Sequence, residues 1–146
     1  MAILLTQGCG GGAAPKLPEE TTLQAKLAAS DDVNSGSGRS ALPIVVRLYE
    51  LKSAGVFSSA DFFSLYQREA DTLGSELIAR EEVSLSPGQG YLMTKKLPAE
   101  AAFLGVVAAF RDIDHAQWRD VVRLNPNHAN KVFVTVSADS IAVAAQ

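Results

Sequence analysis

The sequence holds one cysteine, two histidines and one tryptophan in 146 residues, and it has no surplus of basic charge. Each shortage excludes something. One Cys rules out an internal disulfide and any zinc site built from several thiolates. Two His leave little room for a His-rich metal centre. Thirteen Lys and Arg against sixteen Asp and Glu give 13 − 16 = −3. With no Lys/Arg stripe, that balance argues against a nucleic-acid binder. No apolar run reaches the roughly 18 residues a membrane-spanning helix needs. A Gly-x-Ser-x-Gly elbow is missing, and the glycines around Cys9 lack the Gly-Lys-Ser/Thr ending of a phosphate loop. What is present is a 47% apolar fraction, enough at this length for one domain that buries roughly 70% of its unfolded surface.

The one thiol sits in an unusual place. Met1-Ala2-Ile3-Leu4-Leu5-Thr6-Gln7-Gly8-Cys9 is a short apolar run followed by small and polar residues. A cysteine that packs as a small hydrophobe is flanked by more apolar chain, whereas Cys9 precedes Gly10-Gly11-Gly12-Ala13-Ala14-Pro15. Two readings follow. In one, the start is an unstructured leader with an incidental Cys. In the other, Gly8-Cys9 resembles the end of a bacterial lipoprotein signal, residues 1–8 are its truncated remnant, and Cys9 carries the lipid. Thr6 stands where an aliphatic residue is usual, and no cationic segment precedes it. Residues 9–19, with three Gly and two Pro, then form a lipidated Cys and flexible tether, and 20–146 a single folded domain.

From Thr21 the period becomes two. Leu23, Ala25, Leu27 and Ala29 alternate with Thr22, Gln24, Lys26 and Ala28, which predicts a half-buried strand. Residues 30–43 are rich in Asp, Asn, Ser and Gly, and predict a long loop. Ile44 to Leu51 is a β-branched and aromatic strand. Ser58 or Ser59 is then the expected cap of a short helix with Asp61 in its first turn. Phe62, Phe63, Leu65, Tyr66 and Glu69 supply its packed face. Further strands are predicted at 76–85, with Leu77, Ala79, Val83 and Leu85 on one face, and at 91–97, 103–110, 118–124, 131–137 and 140–144. The run Phe103 to Phe110 is apolar on both faces, which suits a central strand. About eight short strands with a short helical insertion after the second predict an all-β fold, a two-sheet β-sandwich.

Little chemistry stands out. Asp112-Ile113-Asp114-His115 is the one cluster with the residue types of a metal or catalytic site, and it ends an apolar strand where such residues also make turns. Glu81 and Glu82 are adjacent on a strand and face opposite ways, which works against a shared acid/base pair. Arg47 and Glu50 are either a partly buried polar pair or solvent-facing. The residues call for no metal and no cofactor, and no catalytic set emerges.

Several blocks, in order, resemble the TssJ family of outer-membrane lipoproteins of type VI secretion systems. Asn34, Gly38, Arg39 and Ser40 precede Pro43-Ile44-Val45-Val46-Arg47-Leu48-Tyr49-Glu50-Leu51-Lys52, with Glu50 where Gln is common in the family. Phe57 and Ala60-Asp61-Phe62-Phe63-Ser64-Leu65-Tyr66 follow. Glu82 with Leu85 to Gly88 resembles Glu-x-x-Leu-x-Pro-Gly, Leu104 to Asp112 resembles Gly-Val-x-Ala-x-Phe-Arg-Asp, and Trp118-Arg119 comes next. The resemblance covers residues 22–137.

It implies a transthyretin-like β-sandwich with a helical addition, and no catalysis. It implies an outer-membrane lipoprotein facing the periplasm, lipidated at Cys9, that binds the C-terminal periplasmic domain of TssM in a complex also containing TssL. The loop between the first two strands is the implied partner-binding site. Here that loop offers Asp32, Val33, Asn34, Ser35, Gly36, Ser37, Gly38, Arg39 and Ser40, with Asn34 and Arg39 the expected single contacts. Two other readings stand beside the adaptor. One is a periplasmic module that binds a small ligand, and the other a metal-dependent hydrolase built on Asp112, Asp114 and His115.

Overall fold

The computed structural model describes residues 10–11 and 20–146. Cys9 and residues 1–8 and 12–19, which carry the readings of a signal remnant and most of the tether, lie outside the described residues. Eight strands run β1 (Thr21–Ala29), β2 (Ile44–Leu51), β3 (Leu77–Leu85), β4 (Gly90–Leu97), β5 (Phe103–Ala108), β6 (Arg119–Arg123), β7 (Ala129–Val136) and β8 (Ile141–Ala145). Three short helices, α1 (Gly55–Ser59), α2 (Phe62–Gln67) and α3 (Glu69–Leu73), lie between β2 and β3. Among the described residues no helix is long and apolar enough to cross a membrane.

The strands form two four-stranded sheets, ordered β4-β1-β7-β8 and β3-β2-β5-β6. We call them sheet 1 and sheet 2. Every pairing is antiparallel except β1 with β7. The alternation read in β1 holds: Leu23, Ala25, Leu27 and Ala29 are buried, while Gln24 and Lys26 are exposed. These residues meet Ile44, Val46 and Leu48 of β2 and Leu104, Val106 and Ala108 of β5 in one core between the sheets. The fold class expected from strand count and turn spacing is therefore the observed one.

Sheet 2 is covered on its other side as well. Tyr49 and Leu51 of β2 and Val107 of β5 pack against Phe57, Leu65 and Leu73 of the three helices. This second layer is why β5 reads as apolar on both faces, and β5 is an inner strand between β2 and β6. Gly105 is buried there beside Tyr49. A Cβ at this position would come within 2.6 Å of the Phe57 ring, so the ring seats only over a residue with no side chain.

Two local expectations are corrected. Neither Ser58 nor Ser59 caps the aromatic helix. Asp61 does, with Oδ1 accepting from the Ser64 amide at 2.9 Å and Oδ2 from its hydroxyl at 2.7 Å. Ser59 instead closes α1, its hydroxyl donating back to the Gly55 carbonyl at 3.0 Å. An ionised carboxylate is the stronger acceptor at the dipole-positive end, and it takes the cap. Leu77 does not share a face with Val83 and Leu85 either. The register between β2 and β3 slips between Glu50 and Leu51, so Leu77 packs under the helices while Ile78 turns to the inter-sheet core.

Arg47 and Glu50 neither pair with each other nor face open solvent. Arg47 points to the helices, where its Nε donates to Glu82 at 2.8 Å and its guanidinium to the Tyr66 carbonyl at 2.7 Å. Glu50 points between the sheets and accepts from Lys95 of β4 at 2.9 Å. Glu81 also reaches Lys95, at 3.1 Å. The adjacent carboxylates Glu81 and Glu82 thus serve opposite faces of β3, as their spacing requires.

Candidate partner-binding end of the sandwich

The loop of residues 30–43 sits at the end of the sandwich where β1 leaves. Around it lie the β3–β4 turn, the β5–β6 loop and the β7–β8 turn. Residue 20, where the described fold begins, is at the opposite end of β1. Nine residues of strand, roughly 30 Å at about 3.3 Å each, separate the two ends.

Three residues of the loop face inward and shape it. Val33 is wholly buried in the inter-sheet core. Asn34, 5% exposed, has a backbone φ of 58°, a left-handed conformation that Asn tolerates better than most residues. Its amide donates to the Ser137 carbonyl at 3.1 Å, its Nδ2 to the Pro43 carbonyl at 3.2 Å, and its Oδ1 accepts from the Arg111 amide at 2.8 Å. One side chain and its backbone thus tie three loops together. Ser35 is buried beside it. Gly36, at φ 60°, donates to the Ala138 carbonyl at 3.1 Å, and Gly38 turns the chain at φ 79°. Alternating Asn and Gly at 34, 36 and 38 are the sequence signal of this path, because each takes a positive φ.

Asp32, Ser37, Gly38, Arg39 and Ser40 form the exposed crest. Of the two expected single contacts, Arg39 is exposed and presents its guanidinium. Asn34 is spent holding the loop. Arg111, part of a matched block but not among the expected contacts, completes the basic side: its guanidinium donates to the Ser40 carbonyl at 3.1 Å. A groove of about 280 Å³ runs between Ser35, Gly36, Ser37, Arg39, Arg111 and Asp112. Two guanidinium groups with exposed serines suit a partner's carboxylates and backbone carbonyls.

The Asp112–His115 cluster adjoins this groove. Asp112 Oδ1 lies 2.8 Å from His115 Nδ1. This bond and the charge on Asp112 raise the imidazole pKa above its usual 6.5. Gly36, Ser37, Asp112, His115 and Asp139 line a neighbouring depression. Asp114 is on the same short 3-10 turn and lines a different groove with Phe63 and Trp118. Among the described residues no three His, Cys, Asp or Glu side chains converge to hold a metal ion.

Comparison with known proteins agrees with this architecture. The family described as "Type VI secretion lipoprotein, VasD, EvfM, TssJ, VC_A0113" matches residues 21–139. The solved structure of the type VI lipoprotein TssJ1 from Pseudomonas aeruginosa superposes with a TM-score of 0.83 at 33% identity, over 87% of this chain and 97% of that one. Serratia marcescens Lip, described as a membrane-bound component of the type VI secretion system, shares the fold with a TM-score of 0.77 at 24% identity, over 84% and 96% of the two chains. A chain in a structure described as the TssM C-terminal domain (869–1107) from EAEC matches at 29% identity and a TM-score of 0.68, over 84% of this chain and 97% of that one. A search of curated proteins finds no match. A β-sandwich with its helical layer, the Asn34-centred loop end and a family match over nearly the whole described fold together establish that the chain belongs to the type VI secretion lipoprotein family, a family of structural lipoproteins and not of enzymes.

Proposed function

We propose that this chain is the outer-membrane lipoprotein of a type VI secretion membrane complex, facing the periplasm, and that it binds the C-terminal periplasmic domain of TssM. Lipid on Cys9 anchors it, residues 9–19 form the tether, and the crest Asp32 to Ser40 with Arg111 meets the partner. TssL belongs to the same assembly.

The observation that carries this reading is the polarity of the domain. The chain enters the fold at Thr21, and the Asn34-centred loop end lies at the far end of β1. On this reading the tether side and the binding side are opposite, which is what an adaptor needs. The chain matched in the TssM structure adds support. Because 84% of this chain covers 97% of it, that matched chain is shorter than this one and far shorter than the stretch 869–1107. A match to a chain in a structure described by a TssM domain is what supports TssM as the partner. A tether of about ten residues reaches at most roughly 35 Å, and two or three acyl chains hold a protein where one is marginal.

Two measurements test the proposal. Intact-mass analysis of the protein from outer-membrane fractions should show Cys9 as an acylated first residue, and an unmodified Cys9 behind a retained Met1 would remove the anchor. Pull-down by the TssM periplasmic domain should retain the chain, and no retention would remove the adaptor.

A further inference from the structure

The outer face of sheet 1 is not used by the site above. Strand register places its side chains abreast. Lys26 of β1 stands beside Leu92 of β4 and Phe133 of β7, Gln24 between Thr94 and Lys131, and Thr22 between Lys96 and Ala129. Lys26, Lys96 and Lys131 are exposed, as is Leu92 at 55%. Lys26, Tyr91, Leu92 and Phe133 border one shallow groove. Among the described residues no helix covers this face, since α1, α2 and α3 lie on sheet 2.

The charge on this sheet is one-sided. The four strands of sheet 1 hold four lysines and not one Asp or Glu, in a chain of net charge −3. Asp61, Glu69, Asp71, Glu76 and Glu82, five of the sixteen carboxylates, stand in the helical layer and β3 on the other side of sheet 2. Glu20, just before β1, pairs with Lys96 at 3.0 Å, which leaves Lys26 and Lys131 outside any ion pair among the described residues.

We infer that the outer face of sheet 1 lies against an anionic phospholipid surface, with Lys26, Lys96 and Lys131 on the headgroup phosphates and Leu92 and Phe133 at the acyl boundary. Lysines with long apolar stems, flanked by an exposed leucine and aromatic rings, are the side chains that settle at a membrane interface. Charge complementarity sets the orientation, since the strands of sheet 1 carry lysines and no Asp or Glu, whereas the helical side of sheet 2 sets Glu69 and Glu82 against Arg47 and Arg80. The loop end at the tip of β1 lies at the rim of this face, so a chain lying flat still presents Arg39 and Arg111. The inference rests on the anchoring half of the proposed function only for bringing the chain to a membrane.

Amine-acylation footprinting tests it. The full chain is coupled through the Cys9 thiol to a maleimide headgroup lipid, in vesicles of phosphatidylcholine with or without phosphatidylglycerol. On anionic vesicles acylation at Lys26, Lys96 and Lys131 should slow roughly fivefold, the factor for one lysine held at an anionic surface. Lys52, exposed at the end of β2, is the internal reference and should be unchanged. Salt near 1 M, where the Debye length is about 3 Å, should restore the rates. In the double variant Lys26→Glu, Lys131→Glu, protection at Lys96 should vanish. Equal rates on both vesicles, or equal slowing at Lys52, would overturn the inference. So would weakened TssM binding by the double variant without lipid protection, which would make the face a protein-docking surface. Because the coupling supplies the anchor, failure here is separate from absence of lipid on Cys9 in the cell.

Discussion

Arg47 and Tyr66 meet twice: the guanidinium donates to the Tyr66 carbonyl at 2.7 Å and lies over the Tyr66 ring at 3.7 Å. The carbonyl belongs to the last turn of α2, whose acceptors the helix leaves unpaired. A strand residue therefore caps the helix that covers it. Replacing Arg47 with Met keeps the stem and removes both contacts, and it leaves Glu69 and Glu82 without this partner. We expect a loss of about 2–3 kcal/mol in urea unfolding, from charge-assisted hydrogen bonds. Arg47→Lys should fall between, since an ammonium lacks the planar fork. A loss within experimental error for Arg47→Met would contradict this role.

Across the sandwich, Lys95 supplies the counter-charge for a carboxylate that is almost fully buried. Lys95→Met leaves Glu50 between the sheets with no cation, which costs about 3–5 kcal/mol. Adding Glu50→Leu should recover most of the loss, because the uncompensated charge goes with it. Burial pulls the Lys95 pKa down, but bonds to Glu50 and Glu81 outweigh it and the value is raised. Its contribution is thus complete at neutral pH and is lost only as pH climbs through the raised value. A double variant no more stable than Lys95→Met would count against this account.

Gly105 is a space requirement with a known occupant. Gly105→Ala puts a methyl 2.6 Å from the Phe57 ring and should destabilise the domain by about 1–3 kcal/mol. Phe57→Leu in that background should relieve the clash, giving a double variant less destabilised than the sum of the singles. Strict additivity would show that the ring and the glycine do not compete for one volume.

The imidazole of His115 gives a pH signature at the loop end. Its pKa is raised by the hydrogen bond and charge of Asp112. A raised histidine stabilises the fold fully below the unfolded value near 6.5 and loses that contribution as pH rises through the folded value. His115 is exposed, so the readout is the titration itself, followed by NMR. The midpoint should lie above 6.5 and drop in Asp112→Asn, and equal midpoints in the two proteins would break the assignment.

Much of this molecule was legible in the chain. Leu23, Ala25, Leu27 and Ala29 announced β1 because a two-residue period has one solution beside a core. Phe103 to Phe110 announced a strand covered on both sides. The positions of Arg47 and Glu50 were not legible, since a polar residue in an apolar strand shows parity but not partner. Glu69 and Glu82 lie 22 and 35 residues from Arg47, and Lys95 lies 45 residues from Glu50. Leu77 changed face through a bulge that leaves no mark in composition. At the loop end, the turn residues Asn34, Gly36 and Gly38 were visible, but the division between framework and crest was not. It depends on Ser137, Ala138 and Arg111, which only the fold brings to Asn34.

The central claim is that the crest at the end of β1 meets TssM, and a calorimetric titration of the TssM C-terminal domain tests it most directly. Arg39→Glu reverses the exposed charge without touching Asn34, so thermal unfolding should match the parent chain. Affinity should fall at least about tenfold, ~1.4 kcal/mol, and Ser37→Glu should act in the same direction. Unchanged affinity in both variants, with the parent chain binding, would contradict the claim.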